Sequence, residues 1–298
     1  MIKIPWVIIV NRGNRLFFRK VLFTLCLLLL SYSLAINIFA QSTNGFDLSN
    51  ASIDIADIFS GGPPRDGIPS IDNPKFIVVN EVNFLKDDDI VIGISRGKTA
   101  KAYPTRILIW HEIVNDVIGG EAVAITYCPL CGTAMVFKRK VNGKLRTFGV
   151  SGLLYQSDVL MYDRETESLW SQLAMQAVSG KEKGAKLTWL ESDHLTWKAW
   201  KEKYPQGQVL STDTGYQRNY NSDAYSSYFA SEDIMFPVPI TRNELAKKSW
   251  VLGVIIEGKA KAYPLDDLIS KKVLYDKIAN QKITIQYDVS KKYPKVTN

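Results

Sequence analysis

The chain has 298 residues and a formal net charge of +7 at pH 7, with 37 Lys and Arg against 30 Asp and Glu. Five of the cations and none of the acids lie in residues 1–40, so the rest of the chain is nearly neutral. This balance argues against the clustered basic surface of nucleic-acid-binding proteins, and three cysteines are too few for a disulfide-stapled fold.

The N-terminal segment, residues 1–40, has the pattern of an export signal. A basic stretch ends at Arg19 and Lys20, and an apolar run follows over residues 21–40. A run of about 20 apolar residues is also long enough for an uncleaved membrane anchor. We expect a signal peptide that engages the membrane during export to the periplasm or cell surface, with cleavage favoured over anchoring.

The next segments are an extended lead-in, predicted over the polar, turn-rich residues 41–75, and a single domain over residues 76–298. An internal repeat runs through this domain, because residues 76–127 recur at 236–287 with a constant offset of 160. The pentapeptide Ala-Lys-Ala-Tyr-Pro, for example, stands at both 100–104 and 260–264. Such self-similarity indicates one supersecondary unit used twice.

Each repeat unit is predicted to be β-β-α-β. In the first copy, strands at 90–95 and 99–103 form a hairpin, a helix runs over about 104–118, and a strand follows at 121–127. With a strand-rich insert between the copies, these units predict a β-rich α+β fold, packed as one domain. Matched apolar positions of the two copies are expected to share a common core. The insert includes a Tyr-rich stretch at 213–233, for which a packed surface loop is favoured over a functional lid.

Four polar residues of the first copy do not recur in the second. His111 is replaced by Lys271, Glu112 by Lys272, Cys128 by Asp288 and Cys131 by Lys291. Because the second copy folds without these four residues, we expect that the first copy keeps them for function and not for folding. Asp116 does recur, as Asp276, and is therefore assigned to the fold.

The Cys-x-x-Cys pair at Cys128 and Cys131 supports several interpretations. Haem attachment requires a His directly after the second Cys, where Gly132 stands. A thioredoxin-type pair requires a helix start, whereas residues 133–138 have a strand pattern. A metal knuckle fits better, because Pro129 and Gly132 favour a tight turn. A local disulfide or two buried thiols remains the alternative.

A third and a fourth ligand are predicted on the helix of the first copy. A helical wheel places His111 at the edge of the apolar face, directed towards the sheet that carries Cys128, and Glu112 nearer solvent. The candidate metal ligands are therefore Cys128, Cys131, His111 and Glu112, with copper or zinc as the ion, since thiolate and imidazole suit both.

Six motifs together resemble a known family. They are Ala-Tyr-Pro at 102–104, His-Glu-Ile-Val-Asn-Asp at 111–116, Tyr-Cys-Pro-Leu-Cys-Gly-Thr at 127–133, Phe-Gly-Val-Ser-Gly at 148–152, Met-Tyr-Asp-Arg-Glu-Thr at 161–166 and Ser-Leu-Trp-Ser-Gln at 168–172. The combination resembles the prokaryotic family catalogued as domain of unknown function 3179, over roughly residues 65–290. The resemblance implies an exported protein and marks the cysteines, His111 and Glu112 as signature positions, without giving them roles.

The functional prediction is metal binding or redox chemistry at the Cys-x-x-Cys/His site of an exported protein. The alternatives are an exported thiol–disulfide oxidoreductase and a non-enzymatic binding or scaffold protein with a structural disulfide. The residues indicate no particular substrate or macromolecular partner.

Overall fold

The computed structural model describes residues 42–238 and 244–297, and the predicted export segment at 1–40 lies outside them. Within the described residues, no helix combines the length and the apolar character needed to cross a membrane. The described residues from Asn44 onward belong to one compact unit, which contains both repeats and the insert.

Strands far outnumber helices, as expected for a β-rich α+β protein. The strands are β1 Ser42–Thr43, β2 Phe46–Asp47, β3 Ile58–Ser60, β4 Phe76–Val78, β5 Ile90–Arg96, β6 Thr99–Pro104, β7 Ile113–Ile118, β8 Glu121–Cys128, β9 Thr133–Lys138, β10 Lys140–Val141, β11 Lys144–Leu145, β12 Phe148–Tyr155, β13 Asp158–Asp163, β14 Leu169–Ser171, β15 Gln176–Ser179, β16 Trp189–Leu190, β17 Asp193–Thr196, β18 Gln208–Leu210, β19 Val251–Ile256, β20 Lys259–Pro264, β21 Val273–Ile278, β22 Gln281–Asp288 and β23 Tyr293–Thr297. The helices are α1 Thr105–Leu108, α2 Trp197–Lys203, α3 Ser226–Ala230 and α4 Leu265–Lys271, with 3-10 turns at Ile55–Asp57 and Val79–Glu81.

The three larger sheets of the first half and the insert have the orders β17-β5-β6-β18-β4, β16-β9-β8-β7 and β15-β14-β13-β12-β3, and β1-β2 and β10-β11 are two-stranded. The pair β18–β6 is parallel, and the other pairings within these sheets are antiparallel. The second half forms the smaller sheets β19-β20 and β21-β22-β23. The sheet β16-β9-β8-β7 packs on both faces, so β8 is buried almost throughout.

The predicted helix over 104–118 is wrong. Helix α1 ends at Leu108, and Ile113–Ile118 is strand β7, which pairs with β8 in antiparallel register. The segment is rich in Ile and Val, whose branched side chains favour a pleated, buried surface over a helix. Residues 90–128 and 251–288 therefore share the element order β-β-α-β-β, and not β-β-α-β.

The segment predicted as an extended lead-in contributes to the core. Phe46 and Leu48 are buried against the β12–β13 sheet, and β3 pairs with β12. Ile71 forms a parallel bridge with Val114 of β7. These contacts anchor residues 44–75 to the insert and to the first copy.

Asp116 has the structural role that its recurrence predicts. Its carboxylate accepts hydrogen bonds from Lys101 Nζ at 2.8 Å and from Tyr103 OH at 2.6 Å. The second copy has the same contacts at 2.6 Å and 2.9 Å, made by Lys261, Tyr263 and Asp276. The matched apolar positions, however, do not share a core: Leu108 and Leu268, for example, lie in separate clusters.

Replacing Asp116 or Asp276 by alanine should lower the free energy of unfolding by different amounts. Lys101 is almost fully buried, so Asp116→Ala leaves a buried cation unpaired and should lower the free energy of unfolding by about 3–5 kcal/mol. Lys261 is half exposed, so Asp276→Ala should cost about 0–1 kcal/mol. Urea unfolding of both variants measures the difference, and equal losses would contradict the assignment of Asp116 to the core.

Candidate metal centre

The two cysteines are held by the hairpin between β8 and β9. Cys128 is the last residue of β8 and lies opposite Thr133, the first residue of β9, while Cys131 lies in the connecting turn. Gly132 completes this turn with φ 65°, and the ring of Trp250 lies so close that a Cβ at this glycine would be 2.3 Å from it. Backbone conformation and close packing both require glycine here.

A carboxylate from the insert completes a group of three ligands. Asp158 begins β13 after a tight turn at Gln156 and Ser157, both of which have positive φ. A thiol sulfur of each cysteine and a carboxylate oxygen of Asp158 all lie within 4.8 Å of one another. The Cys131 Sγ lies 3.4 Å from Asp158 Oδ1, and both cysteines are free thiols. Asp158 was missed by sequence reasoning, because the insert has no counterpart in the repeats.

Glu112 adjoins this group but is not part of it. It lies in the turn between α1 and β7 with φ 56°, and it is 6% exposed, contrary to the predicted position nearer solvent. Burial raises the pKa of its carboxyl to about 8, and the negative charge of Asp158 adds to the effect. The helical-wheel argument failed because the helix ends before this residue.

His111 is not brought together with the cysteines. It is fully buried, and its Nδ1 and Nε2 lie 2.7 Å from the carbonyl of Pro69 and 2.7 Å from the hydroxyl of Tyr220. Burial lowers its pKa, which favours the neutral ring. With these two contacts, His111 connects the segment at Pro69 to the Tyr-rich stretch, and it is outside the group formed by Cys128, Cys131 and Asp158.

The three ligands and the adjoining Glu112 form a cluster of four acidic groups, of which Cys128, Asp158 and Glu112 are buried. Burial raises the pKa of the Cys128 thiol well above its usual range, and the charges of Cys131, Asp158 and Glu112 raise it further. Burial also raises the pKa of Asp158 to about 6, although a hydrogen bond from Leu173 N acts in the opposite direction. Buried charges are costly unless they are paired or coordinate a metal. A bound cation would offset the repulsion among all four groups at once.

The Tyr-rich stretch covers this centre. Burial and the charge of Cys128 raise the pKa of Tyr228. Burial and the charges of Glu112 and Cys128 raise the pKa of Tyr225. Lys248 donates to the Tyr228 carbonyl at 2.6 Å, and the hydroxyl of Ser157 donates to the carbonyl of Phe236 at 2.9 Å. Tyr225 and Tyr228 pack in the cluster that contains Cys128, whereas most other residues of the stretch are exposed.

The family model described as protein of unknown function DUF3179 matches residues 65–298 of the chain. The chain belongs to this family. No curated protein and no solved structure is significantly similar to it. The family's description assigns no activity, so a function has to be argued from the centre itself.

The raised pKa of Glu112 predicts how the metal-free protein responds to pH. A carboxyl whose pKa is raised in the folded state contributes stability that is present below its ordinary pKa of about 4.5 and is lost as pH rises towards 8. Glu112→Gln removes this titration, so the variant should gain stability relative to the parent between pH 5 and pH 8. Each pKa unit corresponds to about 1.4 kcal/mol.

Urea unfolding across this pH range, in the presence of a chelator, measures the effect. Glu202→Gln on the exposed face of α2 is the matched control and should follow the parent protein. A Glu112→Gln variant with the same pH dependence as the parent would show that this carboxyl is solvated.

Proposed function

We propose that the protein binds one zinc ion through Cys128, Cys131 and Asp158. The observation that carries the proposal is the convergence of two sulfurs and one carboxylate oxygen within 4.8 Å, with Cys128 and Asp158 buried and Cys131 partly buried. Zinc accepts sulfur and oxygen ligands together, in a tetrahedral arrangement. Copper(I) prefers soft sulfur ligands throughout, whereas magnesium and calcium prefer oxygen alone, so the mixed set favours zinc.

Three protein ligands leave one position of a zinc tetrahedron for a water molecule or for Glu112. An open position is typical of zinc sites that act on a bound molecule, because zinc lowers the pKa of its water. The carboxyl of Glu112 lies close enough to influence both Asp158 and Cys128. If a water molecule took the fourth position, the Glu112 carboxylate would orient it and would accept its proton.

A thiol–disulfide oxidoreductase is less well supported. Redox cysteines have lowered pKa values, commonly at a helix start, where the dipole favours the thiolate. Cys128 instead ends a strand, and its pKa is raised by burial. A metal ion would stabilise the thiolate form that the surroundings otherwise oppose.

The proposal includes a duplication of one structural unit within the chain and export of the protein. Both copies contain the element order β-β-α-β-β and the same lysine, tyrosine and aspartate contacts, which supports one unit used twice. In this account the first copy carries the metal and the second has lost it, with Lys272 in place of Glu112 and Asp288 in place of Cys128. The basic and apolar pattern of residues 1–40 supports export.

Metal content and affinity of single variants test the proposal. The protein, purified with zinc present, should hold about one ion per chain by elemental analysis. Cys128→Ser and Asp158→Asn should each lose the ion on dialysis, because each removes a ligand. Glu112→Gln should weaken binding by roughly ten- to a hundredfold, the usual effect of a residue that supports a ligand.

Asp288→Asn is the matched control, since this residue stands in the second copy where Cys128 stands in the first, and it should keep the ion. Circular dichroism of each variant shows that loss of metal is not loss of fold. Full retention of zinc by Cys128→Ser or by Asp158→Asn would contradict the proposed ligand set.

A further inference from the structure

In the first copy, the hairpin β5–β6 is covered by a strand and a helix. Strand β17 pairs with the edge of β5, with Asp193 opposite Gly93, and helix α2 follows directly. The ring of Trp200 lies against the hairpin so closely that a Cβ at Gly93 would be 2.1 Å from it. Glycine is therefore required at this position by the aromatic ring that covers it.

In the second copy, the same glycine recurs, and no residue of the described chain covers it. A Cβ at Gly253 would meet no atom within 4 Å, and its backbone does not have the positive φ that favours glycine. Ala262 lies directly opposite on β20 and is exposed. The neighbours Val251 and Ile255 are 42% and 51% exposed. Nothing in the described chain explains a glycine between two exposed apolar residues.

The strand edge beside this face is also open. Whereas β5 lies between β17 and β6, β19 forms a two-stranded sheet with β20 in the described part of the chain. An open apolar edge of this kind is a template for strand addition by another polypeptide. The second copy therefore repeats the surface on which β17 and α2 pack, and no segment within 42–238 or 244–297 occupies it.

We propose that the hairpin β19–β20 binds a partner protein through a strand and a following short helix, with a large aromatic side chain seated on Gly253. The partner would repeat the arrangement of β17 and α2, in which Trp197 and Trp200 both lie in the buried cluster that covers β5 and β6. Large aromatic residues in such a position are typical anchors of protein interfaces.

A charged residue beside the hairpin, Asp87 in the first copy and Lys247 in the second, indicates the charge of the partner. In the first copy, Asp87 Oδ1 accepts a hydrogen bond from Lys201 Nζ of α2 at 2.6 Å. The corresponding residue of the second copy is Lys247, which is exposed. The charge is thus reversed, so the helix that docks here carries an acidic residue where α2 carries Lys201. A second copy of this chain that offered its own basic α2 would be repelled at this point.

A synthetic peptide tests the proposal on the full chain. The acidic peptide has the sequence of residues 191–205 with Lys198→Glu, Lys201→Glu and Lys203→Glu, and carries a fluorescent label. Fluorescence anisotropy should show saturable binding of this peptide and at least roughly tenfold weaker binding of the unchanged basic sequence. Trp200→Ala in the acidic peptide should also weaken binding at least roughly tenfold.

Protein variants locate the binding face. Gly253→Leu, which fills the open space, should abolish binding, and Ile255→Glu should weaken it through repulsion of the acidic peptide. Tyr275→Ser is the control, because Tyr275 is 79% exposed on β21, in the other sheet of the second half. It should bind like the parent, and melting curves verify that all three variants fold.

Three results would overturn the proposal. The first is the absence of saturable binding by the acidic peptide. The second is equal binding by the Gly253→Leu variant. The third is a chain that dimerises in sedimentation experiments and becomes monomeric on Gly253→Leu, which would make a second copy the occupant. None of these outcomes depends on zinc, so the test is independent of the proposed metal centre.

Discussion

The left-handed turn at Glu112 fixes this buried acid against the strand that carries Cys128. The amide of Glu112 donates to the Leu108 carbonyl at 2.7 Å, and its own carbonyl accepts from the amide of Tyr127 at 2.7 Å. These two bonds join the end of α1 to β8, one residue before Cys128. A left-handed conformation costs a non-glycine residue about 1–2 kcal/mol, which the two bonds offset. The turn therefore holds Glu112 against the end of β8, beside the residue that precedes Cys128, as a consequence of backbone geometry.

The second copy shows that this turn belongs to the fold and the carboxyl does not. Lys272 has φ 61°, its amide bonds to the Leu268 carbonyl at 2.9 Å, and its carbonyl accepts from Tyr287 at 2.8 Å. The side chain there is an exposed lysine. In the first copy the same position carries a buried acid beside other acids, an arrangement that lowers stability unless a cation is bound. A local arrangement that opposes stability is commonly retained for function.

Much of the fold could be predicted from periodicity and repetition. The hairpin β5–β6, the strand β8 and the structural role of Asp116 follow from alternation and from recurrence at an offset of 160 residues. The helix over 104–118 was wrong because apolar spacing in a short, Val- and Ile-rich stretch fits a helix and a strand equally well. The end of the helix at Leu108 is decided by tertiary pairing of β7 with β8, which local spacing does not contain.

The candidate centre was predicted only in part, because the comparison of the two copies covers matched positions alone. Comparison of the two copies identified Cys128, Cys131 and Glu112 as residues that the fold does not need. It also selected His111, whose ring nitrogens are engaged by a backbone carbonyl and a tyrosine from distant segments. It could not find Asp158, because a ligand from the insert has no counterpart to be compared with. Convergence of β8 and β13 is a tertiary contact, and no local signal marks Asp158 among the 30 acidic residues.

X-ray absorption spectroscopy at the zinc edge of the metal-loaded protein tests the central claim most directly. The account predicts two sulfur neighbours at about 2.3 Å and oxygen neighbours at about 2.0–2.2 Å, without the outer-shell scattering of an imidazole ring. A spectrum with imidazole scattering, or with fewer than two sulfurs, would contradict the ligand set of Cys128, Cys131 and Asp158.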